Sequence, residues 1–266
     1  MTGDLDTYLR TAIRAAREAG GIQLAERGSD LAISTKSTDI DLVTRVDELC
    51  ERRIREVIAA EHPGHVVVGE ELGTAGSGAM RWIVDPLDGT VNYAHGFPFY
   101  CVSIALEADG ELVVGVVYDP ERDELFTATK GGGAWLNGRP LSVTTTAEPR
   151  RSMLATGFAY ATERMALNLE VFVRVMPHVR AVRRPGAAAL DICYVAAGRL
   201  DGFWELGLNP WDVAAGLVIL REAGGTATGA DGGPYRLGDR VLVASNGHLH
   251  ARLLDVLQLQ TVVARV

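Results

Sequence analysis

The segment Trp82-Ile83-Val84-Asp85-Pro86-Leu87-Asp88-Gly89-Thr90-Val91-Asn92-Tyr93 ends an apolar run at two carboxylates three residues apart. The run from Arg81 to Val84 predicts a short buried strand. The proline that follows holds its φ at about −65°, so we expect the chain to turn with Asp85, Asp88 and the carbonyl of Leu87 facing one side. Because oxygen ligands of this kind suit Mg²⁺ or Mn²⁺, the segment indicates a site for a divalent metal ion.

A Gly-Thr pair after the second aspartate indicates an anion site beside the metal site. If a helix begins near Gly89, its unpaired backbone N–H groups and the positive end of its dipole point outward, which favours a bound phosphate. The alternative is that Asp-Pro-Leu-Asp-Gly-Thr forms only a turn, since Asp, Pro and Gly are common turn residues. Taken by itself, the segment leaves both interpretations open.

The composition predicts a folded protein with an acidic balance. The chain has 266 residues, of which 47% are hydrophobic, enough for a large core in one domain or two closely packed ones. Its 26 Lys and Arg against 34 Asp and Glu give a net charge of −8, which argues against a broad nucleic-acid surface. The N-terminus lacks a signal-peptide pattern and no apolar stretch is long enough to span a membrane, so we expect a cytoplasmic protein without a membrane partner. The three cysteines are far apart and odd in number, which predicts free thiols.

The hydrophobic pattern predicts two halves, residues 1–143 and 144–266. The first half has an α+β order and the second alternates helices and strands in an α/β order. The predicted elements of the first half are a helix Leu5–Glu26, a helix capped by Thr44 that ends near His62, and strands Leu31–Lys36, His65–Val68, Tyr100–Glu107, Leu112–Asp119 and Glu124–Thr129. Those of the second half are helices near Glu163–Met176, Ala187–Ala197, Trp211–Ala223 and Leu249–Leu259, and strands near Ser152–Thr156, Val179–Arg183, Gly202–Glu205, Thr226 and Val241–Ser245.

Two glycine-rich segments predict loops. The segment Leu72–Ala79 is rich in Gly, Ala and Ser, which favours a mobile loop. The run Gly131–Gly133 predicts a tight turn and not a phosphate loop, because no helix follows closely enough and Gly-Lys-Ser/Thr is absent.

Three further acids have both a structural and a functional interpretation. Glu70 follows a β-branched strand and a glycine, so it lies at a strand end as Asp85 does. Asp47 is in the first turn of a capped helix, where an acid has a structural use without any other role. Asp212 opens a strongly apolar helix, where a negative charge complements the helix dipole. Position in the sequence does not decide between the two interpretations.

Several of these motifs occur together in one order: Gly69-Glu70-Glu71, Asp85-Pro86-Leu87-Asp88-Gly89-Thr90-Val91-Asn92, Asp201-Gly202-Phe203-Trp204-Glu205, Trp211-Asp212-Val213-Ala214-Ala215-Gly216 and Glu222-Ala223-Gly224-Gly225. The ordered set resembles the inositol monophosphatase family of Mg²⁺-dependent, lithium-sensitive sugar phosphatases. The similarity covers nearly the whole chain, including the lead-in from Lys36 to Asp47. It implies the layered α-β-α-β-α sandwich of that family.

The resemblance also implies a role for each motif residue. It implies that two or three Mg²⁺ ions, with Mn²⁺ as an alternative, are held by Glu70, Asp85, the Leu87 carbonyl, Asp88 and Asp212. It implies that the catalytic residues are Thr90, Asp47 and Glu70, with Thr90 and Asp47 orienting and deprotonating a metal-bound water. It implies that the substrate is bound by Gly89, Thr90, Asp88, Gly186, Ala188 and Glu205, with the N–H groups of the first two on the phosphate. Ala187 is a departure, because relatives often carry Ser or Thr there, and it puts the fine substrate preference in doubt.

The chemistry of phosphate ester hydrolysis supports this assignment independently. In-line attack needs a nucleophile made from water near neutral pH and a neutralised leaving oxygen, which metal ions about 3.5–4 Å apart can supply. Carboxylates from four separate segments are costly to cluster without cations between them. A structural accident is therefore a poor explanation of the set.

We therefore expect a metal-dependent phosphomonoesterase that acts on inositol monophosphate or a similar small sugar or polyol phosphate, and that forms a homodimer as similar proteins do. The alternatives within the family are fructose 1,6-bisphosphate, nucleotide 3′-phosphates, NADP and histidinol phosphate as substrates. An alternative of another class is a regulatory binding protein that retains the fold and acts with RNA-associated machinery. The complete set of ligands and the acidic balance count against that being its only role.

Overall fold

A computed structural model describes residues 5–29, 31, 33–35, 42–158 and 162–263 of the chain. The helices are α1 Leu5–Glu26, α2 Arg45–Glu61, α3 Thr90–Ala94, α4 Thr162–Val175, α5 Ala188–Ala196, α6 Pro210–Glu222, α7 His250–Leu257 and α8 Gln260–Val263. The strands are β1 Ser34–Thr35, β2 Leu42–Val43, β3 Val66–Gly69, β4 Gly73–Ala75, β5 Met80–Asp88, β6 Cys101–Ala108, β7 Glu111–Asp119, β8 Glu124–Thr129, β9 Gly133–Leu136, β10 Arg139–Pro140, β11 Met153–Thr156, β12 Ala181–Arg183, β13 Gly202–Leu206, β14 Thr226–Thr228 and β15 Val241–Ser245. Short 3₁₀ helices occupy Pro149–Arg151 and Met176–His178.

The larger sheet has eight strands in the order β10-β9-β8-β7-β6-β5-β3-β4. Its pairs are antiparallel except β3 with β5, which run parallel with Gly69 opposite Val84. Because successive side chains of a strand point to opposite faces, Ile83 packs on one face of the sheet while Trp82 and Val84 pack on the other. Both faces are thus apolar, and helices cover both.

The smaller sheet has five strands in the order β12-β11-β13-β15-β14. The pairs β11 with β12 and β11 with β13 are parallel, whereas β15 runs antiparallel to β13 and β14. The larger sheet ends at Pro140 and this sheet begins at Met153. The division of the chain at residue 143 into two halves stays a prediction.

Three apolar clusters arrange these elements in five layers. Helices α1 and α2 cover the outer face of the larger sheet, and α5 and α6 fill the space between the two sheets. Helices α4 and α7 cover the outer face of the smaller sheet. The layered α-β-α-β-α fold expected from the resemblance is confirmed. None of the helices in the described ranges combines the length and apolar character needed to cross a bilayer.

The first two helices form where their sequence patterns predict them. Helix α1 spans the predicted Leu5–Glu26 and buries Ala12, Ala15, Ala16 and Ala19, whose small side chains let α2 pack closely. Helix α2 begins after Thr44, whose side chain accepts from the Val46 N–H at 3.1 Å. This is the cap that the sequence predicted.

Other predictions were wrong in detail, for reasons that lie in backbone pairing. The predicted loop Leu72–Ala79 contains the short edge strand β4. The predicted turn is present at residues 130–132, but the strands β9 and β10 that follow it were not predicted. The single closing helix is interrupted at Gln258, which has a left-handed φ of 45°. Within the described part of the predicted strand Leu31–Lys36, the strand covers Ser34–Thr35, while Ala32 and residues 36–41 lie outside the described residues.

Candidate active site

The end of β5 carries the two aspartates of the central motif. The pairing of β5 with β6 is interrupted by a bulge between Asp85 and Asp88, and a bulge accommodates a proline that cannot donate to the ladder. Asp85 is 2% exposed, and its Oδ1 accepts the Leu87 N–H at 2.9 Å. The predicted turn is therefore a bulge inside a longer strand, and it leaves both acids at the strand end.

Thr90 and Asp47 form the pair that the resemblance implied. Gly89, the residue before Thr90, has φ of 92°, and a Cβ there would lie 2.9 Å from the Phe99 carbonyl oxygen, so only glycine fits. Thr90 Oγ1 lies 2.9 Å from both Asp47 Oδ1 and the Leu87 carbonyl oxygen. The hydroxyl proton thus has an acceptor in the carboxylate.

Asp47 has a structural role as well. Its Oδ2 accepts the Thr44 N–H at 2.8 Å and the Thr44 hydroxyl at 2.6 Å, which completes the capping box of α2. Burial raises the pKa of Asp47 to about 6, and the Thr44 hydrogen bonds oppose that rise. The two interpretations of this acid are compatible, since one oxygen serves the helix and the other contacts Thr90.

Glu70 reaches the same place from the neighbouring strand. It follows β3, and its backbone N–H donates to the Val84 carbonyl at 3.2 Å, immediately before Asp85. Parallel strands end at the same edge of a sheet, so the two acids become neighbours. The charge of Glu70 is the second-largest cause, after burial, of a pKa of Asp85 well above its ordinary value.

Asp212 comes from the first turn of α6. Its Oδ2 accepts the Asn209 N–H at 2.6 Å, which is one half of a second capping box. The Ser103 hydroxyl donates to the Trp211 carbonyl at 3.2 Å and so ties this helix end to β6. Burial, followed by the charge of Glu70, raises the pKa of Asp212 well above its ordinary value.

Asp88 contacts the start of α5. Its Oδ2 accepts the Ala189 N–H at 2.7 Å, and the helix begins after Ala187, which offers no side-chain cap. Burial raises the pKa of Asp88 to about 7, and the Ala189 N–H opposes that rise. The acid therefore serves as the cap that α5 lacks, and it connects the metal-ligand candidates to Gly186 and Ala188.

Glu205 lies on β13, on the far side of this helix start. It is partly exposed, whereas its neighbours Trp204 and Leu206 are buried. Burial and then the charge of Asp88 raise the pKa of Glu205 to about 8, and Arg184 opposes that rise. The carboxyl group of Glu205 therefore lies within the electrostatic reach of both Asp88 and Arg184.

The carboxylate oxygens of the candidate ligands have the chemistry that a divalent cation needs, but among the described residues they are not arranged as a coordination shell. Among the described residues, no three His, Cys, Asp or Glu side chains are arranged as they stand to hold a metal ion. Asp85, Asp88 and Asp212 each direct a carboxylate oxygen at a backbone N–H. Yet these acids raise one another's pKa, and hard oxygen donors that repel one another are the environment that Mg²⁺ relieves.

Sequence reasoning missed four residues that support the site. Asn92 donates to the carbonyls of Phe99 and Pro185 at 2.7 and 2.9 Å and so joins the central motif to the segment before α5. The others are Glu51, Asn168 and Asp191, which are buried polar side chains inside helices. Only Asn92 had a signal, since it lies within the central motif. Glu51 contacts the Glu71 N–H and Asn168 contacts Gly157 and Trp204, and these partners are too far away in sequence to be found from spacing.

The backbone N–H groups of the turn Gly131–Gly133 are bonded to a carboxylate of the same chain. The N–H groups of Gly131 and Gly133 donate to the Glu222 carboxylate at 2.8 and 2.9 Å. An internal acid thus occupies the place where a phosphate would have to bind. The structural interpretation of these glycines is confirmed.

Comparisons with known proteins agree with this geometry. The model of the inositol monophosphatase family matches residues 4–261. An inositol-1-monophosphatase from Synechocystis sp. is 44% identical over 96% of this chain and 90% of its own, and a Nus factor SuhB from Pasteurella multocida is 41% identical over 96% and 97%. The crystal structure of the extragenic suppressor protein SuhB from Bartonella henselae has a TM-score of 0.91 at 39% identity, covering 95% of this chain and 98% of that one. The resemblance found in the motifs is confirmed: the chain belongs to the inositol monophosphatase family and is a phosphoric monoester hydrolase.

Proposed function

We propose that the protein is a Mg²⁺-dependent phosphatase that hydrolyses inositol monophosphate or a similar small polyol or sugar phosphate. The observation that carries the proposal is the Thr90–Asp47 hydrogen bond of 2.9 Å beside the carboxylate cluster. It supports the proposal because it gives the Thr90 hydroxyl a proton acceptor beside the proposed ligands of the cation. The relatives that are named inositol-1-monophosphatase support the choice of substrate.

The metal part of the proposal rests on five oxygen donors. Two or three Mg²⁺ ions, with Mn²⁺ as an alternative, would supply positive charge to the phosphate and to the leaving oxygen. The proposed ligands are Glu70, Asp85, the carbonyl of Leu87, Asp88 and Asp212. Their mutual repulsion supports this, because a cation among them offsets it.

The remaining residues orient the substrate and move one proton. Thr90 Oγ1 accepts a proton from the attacking water as it passes its own to Asp47 Oδ1, so that the carboxylate acts as the base. The backbone N–H groups of Gly89 and Thr90 receive the phosphate. Glu205 accepts hydrogen bonds from the alcohol, beside Gly186 and Ala188.

A regulatory role as the only function has less support. The relative named Nus factor SuhB makes such a role a reasonable question. This chain, however, buries Asp85 beside the charges of Glu70, Asp88 and Asp212, and it has the Thr90–Asp47 hydrogen bond. Retaining costly buried acids is expected of an enzyme and not of a surface that only binds a partner.

A panel of phosphate esters tests the proposal. Purified protein in Mg²⁺ should release phosphate from inositol 1-phosphate faster than from fructose 1,6-bisphosphate, a nucleotide 3′-phosphate, NADP or histidinol phosphate. The same assay in LiCl should show inhibition at millimolar salt that KCl at equal ionic strength does not produce. No release from inositol 1-phosphate, or an unchanged rate in EDTA, would contradict the proposal.

An isotope experiment tests the direct attack by water. The rival chemistry is an aspartyl-phosphate intermediate, but there the two aspartates are two residues apart, whereas Asp85 and Asp88 are three apart. With a phosphate ester made chiral at phosphorus by oxygen isotopes, direct attack by water should therefore invert the configuration at phosphorus. Retention, which two successive displacements through an aspartyl-phosphate would give, would refute direct attack.

The proposal includes the setting in which the enzyme works. We propose a homodimer in the cytoplasm, and the three free, buried cysteines fit a reducing compartment. Light scattering should give twice the mass of the chain, and cell fractionation should recover the activity with cytoplasmic markers. A monomer at assay concentration, or activity in a membrane fraction, would refute the corresponding part.

A further inference from the structure

Asn168 is a fully buried amide that joins α4 to two strands of the smaller sheet. It is 0% exposed, and its Nδ2 donates to the Gly157 carbonyl and lies 3.4 Å from Thr156 Oγ1. Its Oδ1 accepts the indole N–H of Trp204 at 3.1 Å. Only an amide offers a donor and an acceptor in this arrangement, so neither Asp nor Leu can replace it without loss.

The two strands that Asn168 joins are also bonded to each other. Thr156 lies opposite Trp204 in the parallel pair of β11 and β13, and the Thr156 hydroxyl donates to the Trp204 carbonyl at 2.8 Å. Trp204 faces the outer layer, so the next residue, Glu205, faces the opposite side of the sheet, toward Asp88. A contact made in the outer layer therefore fixes the strand position from which Glu205 projects.

Gly157 limits where the carboxyl group of Glu205 can lie. A Cβ at Gly157 would be 2.0 Å from Glu205 Oε2 and 2.2 Å from its Cδ, so the carboxyl group lies directly against this backbone. The conformation of Gly157 is not one that demands glycine, since its φ lies outside the left-handed region. The glycine is thus required for space, and Asn168 holds its carbonyl.

We propose that Asn168 and Gly157 are positioning residues that determine the selectivity for the alcohol part of the substrate, by fixing the carboxyl group of Glu205 over the Gly157 backbone. The inference rests on the proposed function, because it assumes that Glu205 binds substrate hydroxyls. A displaced carboxyl group would weaken binding of a polyol phosphate. An ester whose leaving group has no hydroxyls to bind would be affected less.

The experiment compares inositol 1-phosphate with p-nitrophenyl phosphate in Gly157→Ala. We expect the KM for inositol 1-phosphate to rise about tenfold and the KM for p-nitrophenyl phosphate less than about threefold, as for the loss of one or two hydrogen bonds to the polyol. Gly21→Ala is the matched control, because a Cβ at Gly21 meets nothing within 4 Å, and it should leave both KM values as in the wild type. Equal changes for the two substrates, or no change, would overturn the proposal.

A rescue variant separates positioning from general damage. Glu205→Asp draws the carboxyl group back from residue 157, so adding Gly157→Ala to Glu205→Asp should raise KM less than adding it to the wild type. Additive effects would overturn the proposal. If Gly157→Ala does not fold, as judged by its melting curve, Asn168→Asp carries the test, since it removes the donor to the Gly157 carbonyl and keeps the shape. It should shift the ratio of the two KM values in the same direction, and an unchanged ratio would overturn the proposal.

Failure of the proposed function gives a different result. A wild-type enzyme that does not hydrolyse inositol 1-phosphate contradicts the proposed substrate, whatever the variants do. The KM comparison is then made with the sugar or polyol phosphate of the panel that the wild type does hydrolyse. A selective rise in that KM supports the positioning role, and a rise that matches that of p-nitrophenyl phosphate refutes it.

Discussion

Replacing Glu51 with Gln should weaken both the fold and the proposed metal site. Glu51 is 0% exposed, and its carboxylate accepts the N–H groups of Glu71 at 2.7 Å and of Leu72 at 3.2 Å. It also contacts the Arg55 guanidinium at 2.6 Å, and the Arg55 side chain is only 16% exposed. These bonds fix the turn that carries Glu70. A Cβ at Gly69 would lie 2.1 Å from Glu51 Oε1, so the carboxylate is in direct contact with the chain there.

The expected loss in the free energy of unfolding follows from the number of donors that lose an acceptor when Glu51 is replaced by Gln. Glutamine keeps the size and one acceptor oxygen, but its NH₂ group faces donors. Hydrogen bonds to a charged group contribute about 1.5–3 kcal/mol each, and breaking a buried ion pair costs about 3–5 kcal/mol. Arg55 keeps a partner in the Gly73 carbonyl, which favours the lower end of that range. We therefore expect a loss of about 3 kcal/mol in the free energy of unfolding.

Two assays measure this prediction. Urea unfolding in EDTA gives the stability of the metal-free chain. A Mg²⁺ titration of activity should need about tenfold more metal for half-maximal rate, because groups that hold a ligand in place affect metal affinity by about that factor or more. Glu48→Gln on the same helix is the control: Glu48 pairs with Arg52 but is 53% exposed, so its loss should cost under about 1 kcal/mol. A stability loss below about 1 kcal/mol for Glu51→Gln with an unchanged Mg²⁺ requirement would refute the reasoning.

Asp212→Asn should abolish turnover and leave the fold intact, and the metal-free variant should melt at a higher temperature than the wild type because one of several repelling charges is gone. Asp231→Asn, at an exposed turn, is the control, and full activity in Asp212→Asn would remove that residue from the site. His65→Gln should flatten the pH dependence of stability. Burial and then the charge of His62 hold the pKa of His65 in the folded protein below its ordinary value of 6.5. The stability that His65 contributes is therefore present above pH 6.5 and is lost as the pH falls through the lower pKa of the folded state. Denaturation at pH 7 and at about pH 5 measures this, with the exposed His248→Gln as control; a slope equal to that of the wild type would contradict it.

Elements with a local signal were predictable from the sequence, and those without one were not. Helix α2 has a capping box and an apolar period within its own residues, so its start was predicted correctly. Strand β4 is held by backbone pairing to β3, with Thr74 opposite Val68. Its Gly and Ala residues are depleted in strands, so the sequence did not predict it. The bulge after Asp85 could not be predicted from the sequence either, because it depends on the register of β5 with β6.

The site was predictable to the extent that its residues lie in motifs. The order of the motifs led to the family, and the structure places Asp47 against Thr90 although 43 residues separate them. The supporting residues are different, because their roles come from single long-range contacts. Asn168 looks like any polar residue of an amphipathic helix until Trp204 and Gly157 are brought to it. Such partners follow from the tertiary fold and not from spacing.

The positions of the acids explain how the fold tolerates them before any cation binds. Asp47 and Asp212 occupy the third position of α2 and α6, and Asp88 accepts an N–H at the start of α5. Helix N-termini carry unpaired N–H groups and a partial positive charge, so each acid is stabilised where it stands. Three helix starts thus converge on the end of β5.

In this arrangement the acids receive hydrogen bonds from the helix starts but keep their negative charges close together. The hydrogen bonds lower their pKa values, but burial and the charges of neighbouring acids raise them by more, since the net shifts for Asp47, Asp88 and Asp212 are all upward. The helix starts therefore hold the carboxylates in position without satisfying their charge. A positive charge that approached Asp88 and Asp212 would therefore relieve a repulsion that the helix starts leave in place.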